Sequence, residues 1–134
     1  MNVLVDTSVW SLAFRRDAPR GTSEESELRE LIGEGRVLML GAVRQELLSG
    51  IRAAEQFRKV RDRLRAFPDI SLTEADHEEA ASYFNRCRSR GVQGSNTDFL
   101  ICAVAARRVA AVLTTDGDFV RFAKLLPVKL HEAR

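Results

Sequence analysis

Three short stretches of this chain are apolar without a break: Val3-Leu4-Val5, Val37-Leu38-Met39-Leu40 and Val109 to Leu113. A strand with one wet face alternates apolar and polar residues. These stretches do not alternate, so each reads as a strand covered on both faces. Between them lie segments with helical spacing and helix-end signals. Strands covered on both faces and separated by helices imply a parallel sheet flanked by helices. Right-handed crossovers then gather the C-terminal ends of the strands on one edge, where ligand sites form in open α/β sheets.

The intervening segments fit that plan. Thr7 to Phe14 reads as a helix, followed by a loop holding Pro19 and Gly21. Thr22 and Glu25 have capping-box spacing and open a helix that ends near Gly33 or Gly35. Ala42 to Ser49 and Arg52 to Phe67 read as two more, the second stopped by Pro68. Ile70 and Leu72 suit a minor strand. Thr73 to Arg90 begins with capping-box spacing to Asp76 and ends at Gly91. Thr97 to Arg108 is apolar on nearly every side up to Ala106 and should be a buried central helix. Asp118 to Leu125 and Val128 to Leu130 complete the series as helix and strand.

With 134 residues and no internal linker or repeat, one domain spanning 1–134 is expected. Hydrophobic residues at 45% and charged residues at 30% supply a core and exclude a largely disordered chain. The 21 basic and 19 acidic residues, net +2, exclude a polybasic tail protein. Cys87 and Cys102 are too few for a disulfide framework or a four-cysteine zinc site. Both fall within helices, where a buried apolar role is expected. The N-terminus has no basic region before its apolar run, and no apolar stretch is long enough to span a bilayer. A cytoplasmic protein with no membrane association is the expectation.

The acids are the informative residues. Asp6 directly follows the first strand, and Asp116 follows the third by two threonines. Glu46 lies about one turn into the helix leaving the second strand, and Asp98 lies in the first turn of the central helix. Only a parallel sheet would bring these four together. Each alone has a structural reading: Asp6 as a helix N-cap, Asp98 as the acidic half of a capping box with Ser95, Asp116-Gly117 as a turn, Glu46 as a solvated helix acid. Together at one edge they would repel. A divalent cation removes that problem, and carboxylates without paired His or Cys favour Mg²⁺ or Mn²⁺ over zinc. Such a site can activate water and stabilise charge on a phosphodiester.

These stretches resemble the PIN-domain family, and within it the VapC-type toxins of toxin–antitoxin pairs. The matching segments are Val3-Leu4-Val5-Asp6-Thr7-Ser8, Gly41-Ala42-Val43-Arg44-Gln45-Glu46-Leu47, Thr97-Asp98-Phe99-Leu100-Ile101-Cys102-Ala103 and Leu113-Thr114-Thr115-Asp116-Gly117-Asp118-Phe119. Their order and spacing extend the resemblance over essentially the whole chain. It implies a three-layer α/β fold whose central parallel sheet has four to five strands. It places Asp6, Glu46, Asp98 and Asp116 at the acidic metal-site positions, with Asp118 a further acid and Thr7, Ser8, Thr115 and Asn96 as polar neighbours. It also implies a Mg²⁺- or Mn²⁺-dependent endoribonuclease that hydrolyses RNA, forms a homodimer and is inhibited by a VapB-like antitoxin.

Other features are less directive. Arg52, Arg58, Lys59, Arg61, Arg63 and Arg65 crowd one segment, and Arg15, Arg16 and Arg20 another. Either cluster suits RNA phosphates, and either suits a solvated surface. Arg15, Arg16, Arg52 and Arg58 are the candidate RNA contacts. His77 and His131 lack metal-ligand spacing to other acids or histidines, and Trp10 reads as packing. Two competing functions remain open. One is a nuclease-inactive module of the same fold that binds RNA or protein. The other is a phosphatase or phospho-acceptor using Asp6, against which Ser8 stands where a haloacid-dehalogenase-like site needs a second Asp.

Overall fold

The computed structural model describes residues 1–14 and 21–134. Four parallel strands form one sheet in the order β2-β1-β3-β4, with β1 Val3–Val5, β2 Val37–Leu38, β3 Ala111–Leu113 and β4 Lys129–Leu130. The helices among the described residues are α1 Thr7–Phe14, α2 Ser23–Gly33, α3 Gly41–Ser49, α4 Ala54–Leu64, α5 Glu74–Ser89, α6 Asn96–Arg107 and α7 Asp118–Leu125. None is long and apolar enough to cross a membrane.

The unbroken apolar runs behave as double-covered strands must. Val3, Leu4 and Val5 are fully buried, and β3 is buried at every position. In α6, Phe99 and the run Ile101 to Ala105 are shielded as well, which makes it the central helix of the core. The longer α5 packs along it, closing one side. Trp10 fills the region between α1 and the end of α4, 5.2 Å from Phe67. Cys87 and Cys102 are both free and buried. Burial pushes both thiols up, away from the reactive thiolate form.

Several boundaries differ from those expected, each for a local reason. Arg52 and Ala53 precede α4, which ends at Leu64 because Ala66 and Phe67 turn back onto Arg63 and Leu64. Ile70 and Leu72 form no strand. The chain touches β2's continuation at the single bridge between Met39 and Asp69, where the Ile70 amide donates to the Met39 carbonyl, and then leaves. The third strand starts at Ala111 rather than Val109. Val109 has φ of +52°, a left-handed turn that ends α6, and is 72% exposed. That is a costly conformation for a β-branched residue. Gly91 does the same task after α5 at φ of +75° with no such cost.

The order of strands fixes where the site lies. From β1 the chain crosses to β2 on one side, and from β3 to β4 on the other. β1 and β3 are neighbours whose outgoing connections diverge, the arrangement that opens a crevice beyond their C-terminal ends. Asp6 and Thr114 are the first residues past those ends.

Candidate active site

β1 and β3 run in register, Val5 beside Leu113, and the Asp6 amide donates to the Leu113 carbonyl at 2.9 Å. That pairing holds the Asp6 side chain at the mouth of the crevice, only 6% exposed. Its Oδ2 accepts from Ser8 Oγ at 2.7 Å and from Thr114 Oγ1 at 2.8 Å. Among the described residues nothing donates to Oδ1. The hydroxyls are themselves fixed: Ser8 Oγ accepts from the Thr115 amide at 3.1 Å, and Thr114 Oγ1 from the Asp116 amide at 2.9 Å. One carboxylate oxygen is thus anchored and the other left available.

Asp116 repeats the scheme, its Oδ1 accepting from the Asp118 amide at 2.9 Å. Asp98 repeats it again as part of a complete capping box. Its Oδ2 accepts from the Ser95 amide at 3.0 Å while Ser95 Oγ accepts from the Asp98 amide at 3.1 Å. The structural reading of Asp98 is therefore correct and does not exhaust the residue, because its Oδ1 is uncommitted among the described residues. The loop that brings Asp98 to this edge is seated by Gly94, where a Cβ would lie 2.6 Å from the Phe122 ring.

Asp98 lies within the influence of the other two aspartates. Burial is the largest influence raising the Asp98 carboxyl above its ordinary value, and the charges of Asp6 and Asp116 raise it further against the two bonds from Ser95. No Lys or Arg forms an ion pair with Asp6, Asp98 or Asp116 among the described residues. Glu46 is exposed on α3 and likewise has no ion-pair partner there.

The oxygen-only donor set fits Mg²⁺ or Mn²⁺. Among the described residues, however, no three acidic, His or Cys side chains stand close enough to share one ion. That spacing suits a hydrated cation held by one or two carboxylates, the usual mode for Mg²⁺.

The other candidates fall in different places. Asp118 Oδ1 is taken by Arg121 at 2.5 Å. Thr115 presents its amide rather than its exposed side chain, and Thr114 is the threonine whose hydroxyl reaches Asp6. The sequence signal for Thr114 was available: it is the residue directly after the strand. Thr7 Oγ1 is buried with no hydrogen-bond partner among the described residues. Asn96 is exposed at the first position of α6, and Arg52 and Arg58 are exposed before and on α4. Arg15 and Arg16 lie outside the described residues. His131 serves structure, bonding Glu27 at 3.0 Å.

Comparison with known proteins agrees with the fold. No curated protein matched the chain. Among solved structures, VapBC2 from Rickettsia felis bound to a DNA fragment from their promoter superposes with a TM-score of 0.77 at 20% identity, covering 98% of each chain. FitAcB from Neisseria gonorrhoeae gives 0.75 at 20% identity, covering 98% of this chain and 97% of that one. VapBC-5 from Mycobacterium tuberculosis, of the VapBC family of toxin–antitoxin systems, gives 0.67 at 18% identity, covering 97% and 98%. At these identities the likeness establishes the fold. The model of the PIN domain matches residues 3–125, and by that match the chain belongs to the PIN-domain family.

Proposed function

We propose that this protein is the toxin of a VapBC-type pair, an endoribonuclease that hydrolyses RNA phosphodiester bonds with Mg²⁺ or Mn²⁺. The observation that carries the reading is the half-anchored state of Asp6, Asp98 and Asp116. Three separate segments bring these acids to one crevice, each with one oxygen tied to the protein, and no ion pair with a described residue balances them. Burying such charge without compensation is costly, so the arrangement favours a cationic ligand. Of Asp6, Asp98, Asp116 and Glu46, one or two at a time would hold a hydrated ion. When bound, Mg²⁺ or Mn²⁺ would polarise the phosphate and acidify water. Ser8 and Thr114 aim the free oxygen of Asp6. Asp118 is engaged by Arg121 and acts through its amide on Asp116. Arg52, Arg58, Arg15 and Arg16 are assigned to the RNA backbone, whose phosphates dominate nonspecific affinity.

The similar structures support the partner as well. VapBC-5 belongs to a toxin–antitoxin family, and this chain covers nearly the whole of the matched chains. A VapB-like antitoxin is therefore proposed for this chain; a homodimer is proposed on the resemblance to VapC-type toxins alone. The test is RNA cleavage by the purified protein with and without EDTA, with Asp6→Asn as control. Cleavage abolished by EDTA and by Asp6→Asn is the expected result. EDTA-resistant cleavage, or full activity in the variant, refutes the mechanism.

One observation favours a second reading, a nuclease-inactive module that binds RNA or protein: no three candidate ligands among the described residues converge on a single point. Calorimetric titration with Mn²⁺ separates the two, since the inactive module would take up none.

A further inference from the structure

A groove of about 480 Å³ opens between α5 and the first turns of α6. Its volume falls within the range of small-ligand sites. Phe84 and Leu100 give it an apolar wall, and Asn85, Asn96, Thr97 and His77 add polar groups. Those polar groups are little used by the fold. Asn85 Oδ1 accepts one long bond from Arg88 at 3.4 Å, which leaves its amide hydrogens. The side chains of Asn96, Thr97 and His77 make no hydrogen bond among the described residues.

The groove adjoins the acids. Asn96 and Thr97 directly precede Asp98 on the same turn of α6. Ala42 of α3 also lines the groove, and Glu46 lies one helical turn further on the same face. A ligand here therefore meets an aromatic wall, carboxamides able both to donate and to accept, and, at one end, the turn that carries Asp98. Unstacked nucleobases are recognised by that combination: stacking on aromatic side chains and hydrogen bonds along the base edges.

We infer that this groove is a nucleobase subsite, which seats the base beside the scissile phosphate and gives the enzyme its sequence preference through Asn85 and Asn96. The inference deepens the ribonuclease reading and rests on it for the scissile phosphate. The groove itself makes a separate prediction about nucleotide binding.

The test is a titration of the isotope-labelled full chain with each of the four nucleoside 5′-monophosphates, with ribose 5-phosphate as the base-free control. The side-chain amide signals of Asn85 and Asn96 should move with nucleotide, with affinities that differ by base, and stay still with ribose 5-phosphate. Asn85→Leu, at an exposed helix position, should weaken the preferred nucleotide about tenfold. Equal shifts with ribose 5-phosphate overturn the subsite, since phosphate alone would then be bound. So do signals that move on dilution without nucleotide, which would mean that a second copy covers the groove. A 5′-end map of cleaved RNA tells the subsite and the nuclease apart. If Asn85→Leu cuts with unchanged sequence preference, the subsite fails and the nuclease stands. If nucleotides bind selectively while no RNA is cut, the nuclease reading fails and the base site stands.

Discussion

Asp76 and Asp6 are almost equally hidden from water, at 1% and 6% exposed, yet their surroundings are opposite. Asp76 has every oxygen occupied. It caps α5 through Thr73 and accepts from Arg107 Nε at 2.9 Å and from Arg108 Nη1 and Nη2 at 2.9 and 3.0 Å. The Arg108 bonds are the main reason its carboxyl is held far below the usual range, against the effect of burial. Glu27 is treated alike. Burial raises its carboxyl, but bonds from His131 and Arg134 outweigh that and lower it. Asp6, Asp98 and Asp116 receive hydroxyls and amides but no ion pair with a described residue. Among the described residues only the first group is compensated by cations, which marks it as structural; the second is the group to which the proposed function gives a cationic ligand.

The contrast is broken most directly by neutralising one acid of each kind. Asp6→Asn keeps an oxygen to accept from Ser8 and Thr114, so its folding stability should shift by less than about 1 kcal/mol. RNA cleavage should fall by at least about a hundredfold, because a charged group facing the reaction is lost. Thermal melting and initial rates on the same preparation check both. A large loss of stability with little loss of rate would place Asp6 among the structural acids.

Asp76→Asn should do the reverse. Removing one partner of a fully buried ion pair costs about 3–5 kcal/mol, and here both guanidiniums reach water, so a loss of about 2 kcal/mol is expected. The melting temperature should drop by roughly 5–10 °C. The pH dependence has a definite sign. Asp76's folded-state carboxyl is depressed from 3.8, so its contribution is complete above the unfolded value and fades as pH falls below it. The gap between wild type and variant should therefore be full at pH 7 and narrow below about pH 4. Glu27→Gln should follow the same course with a smaller effect, about 1 kcal/mol, since Arg134 is half exposed and His131 holds charge only when protonated.

Which acids belonged to which group was only partly legible. The unbroken apolar runs announced a parallel sheet, and the first residues past two of them announced the crevice, since strand ends are local features. The capping boxes at Thr73 and Ser95 were equally local, fixed by spacing of three. What spacing could not show was pairing across the chain. Arg107 and Arg108 lie more than thirty residues from Asp76, and Arg134 more than a hundred from Glu27, so nothing local separated these acids from solvated ones. Thr114 carries a local signal as the residue directly after β3, but with two threonines in a row the one whose hydroxyl turns inward is decided by the register of β3 against β1. Val109 misled because β-branched residues favour strands, and here the need to end α6 overrode that preference.

Asp98 belongs to both groups, and it offers the finest test of the distinction. As a cap it stabilises α6; as a member of the acid cluster it is pushed up by burial and by the charges of Asp6 and Asp116. An acid with a raised folded-state pKa destabilises the protein above its unfolded value, and protonation relieves that cost as pH falls. Asp98→Asn removes the charge and keeps an oxygen for the Ser95 amide, so it should melt slightly higher than wild type at pH 7, with the advantage gone by about pH 4. Asp98→Ala removes charge and cap together and should melt below Asp98→Asn by the worth of the cap, about 0.5–1 kcal/mol. Adding Mn²⁺ should reverse the order of wild type and Asp98→Asn, because the ion stabilises only the form that binds it and the wild-type site keeps its full charge. If Asp98→Asn stays the more stable protein at saturating Mn²⁺, Asp98 is a capping residue alone, and the ligand-ready group shrinks to the two aspartates that follow β1 and β3.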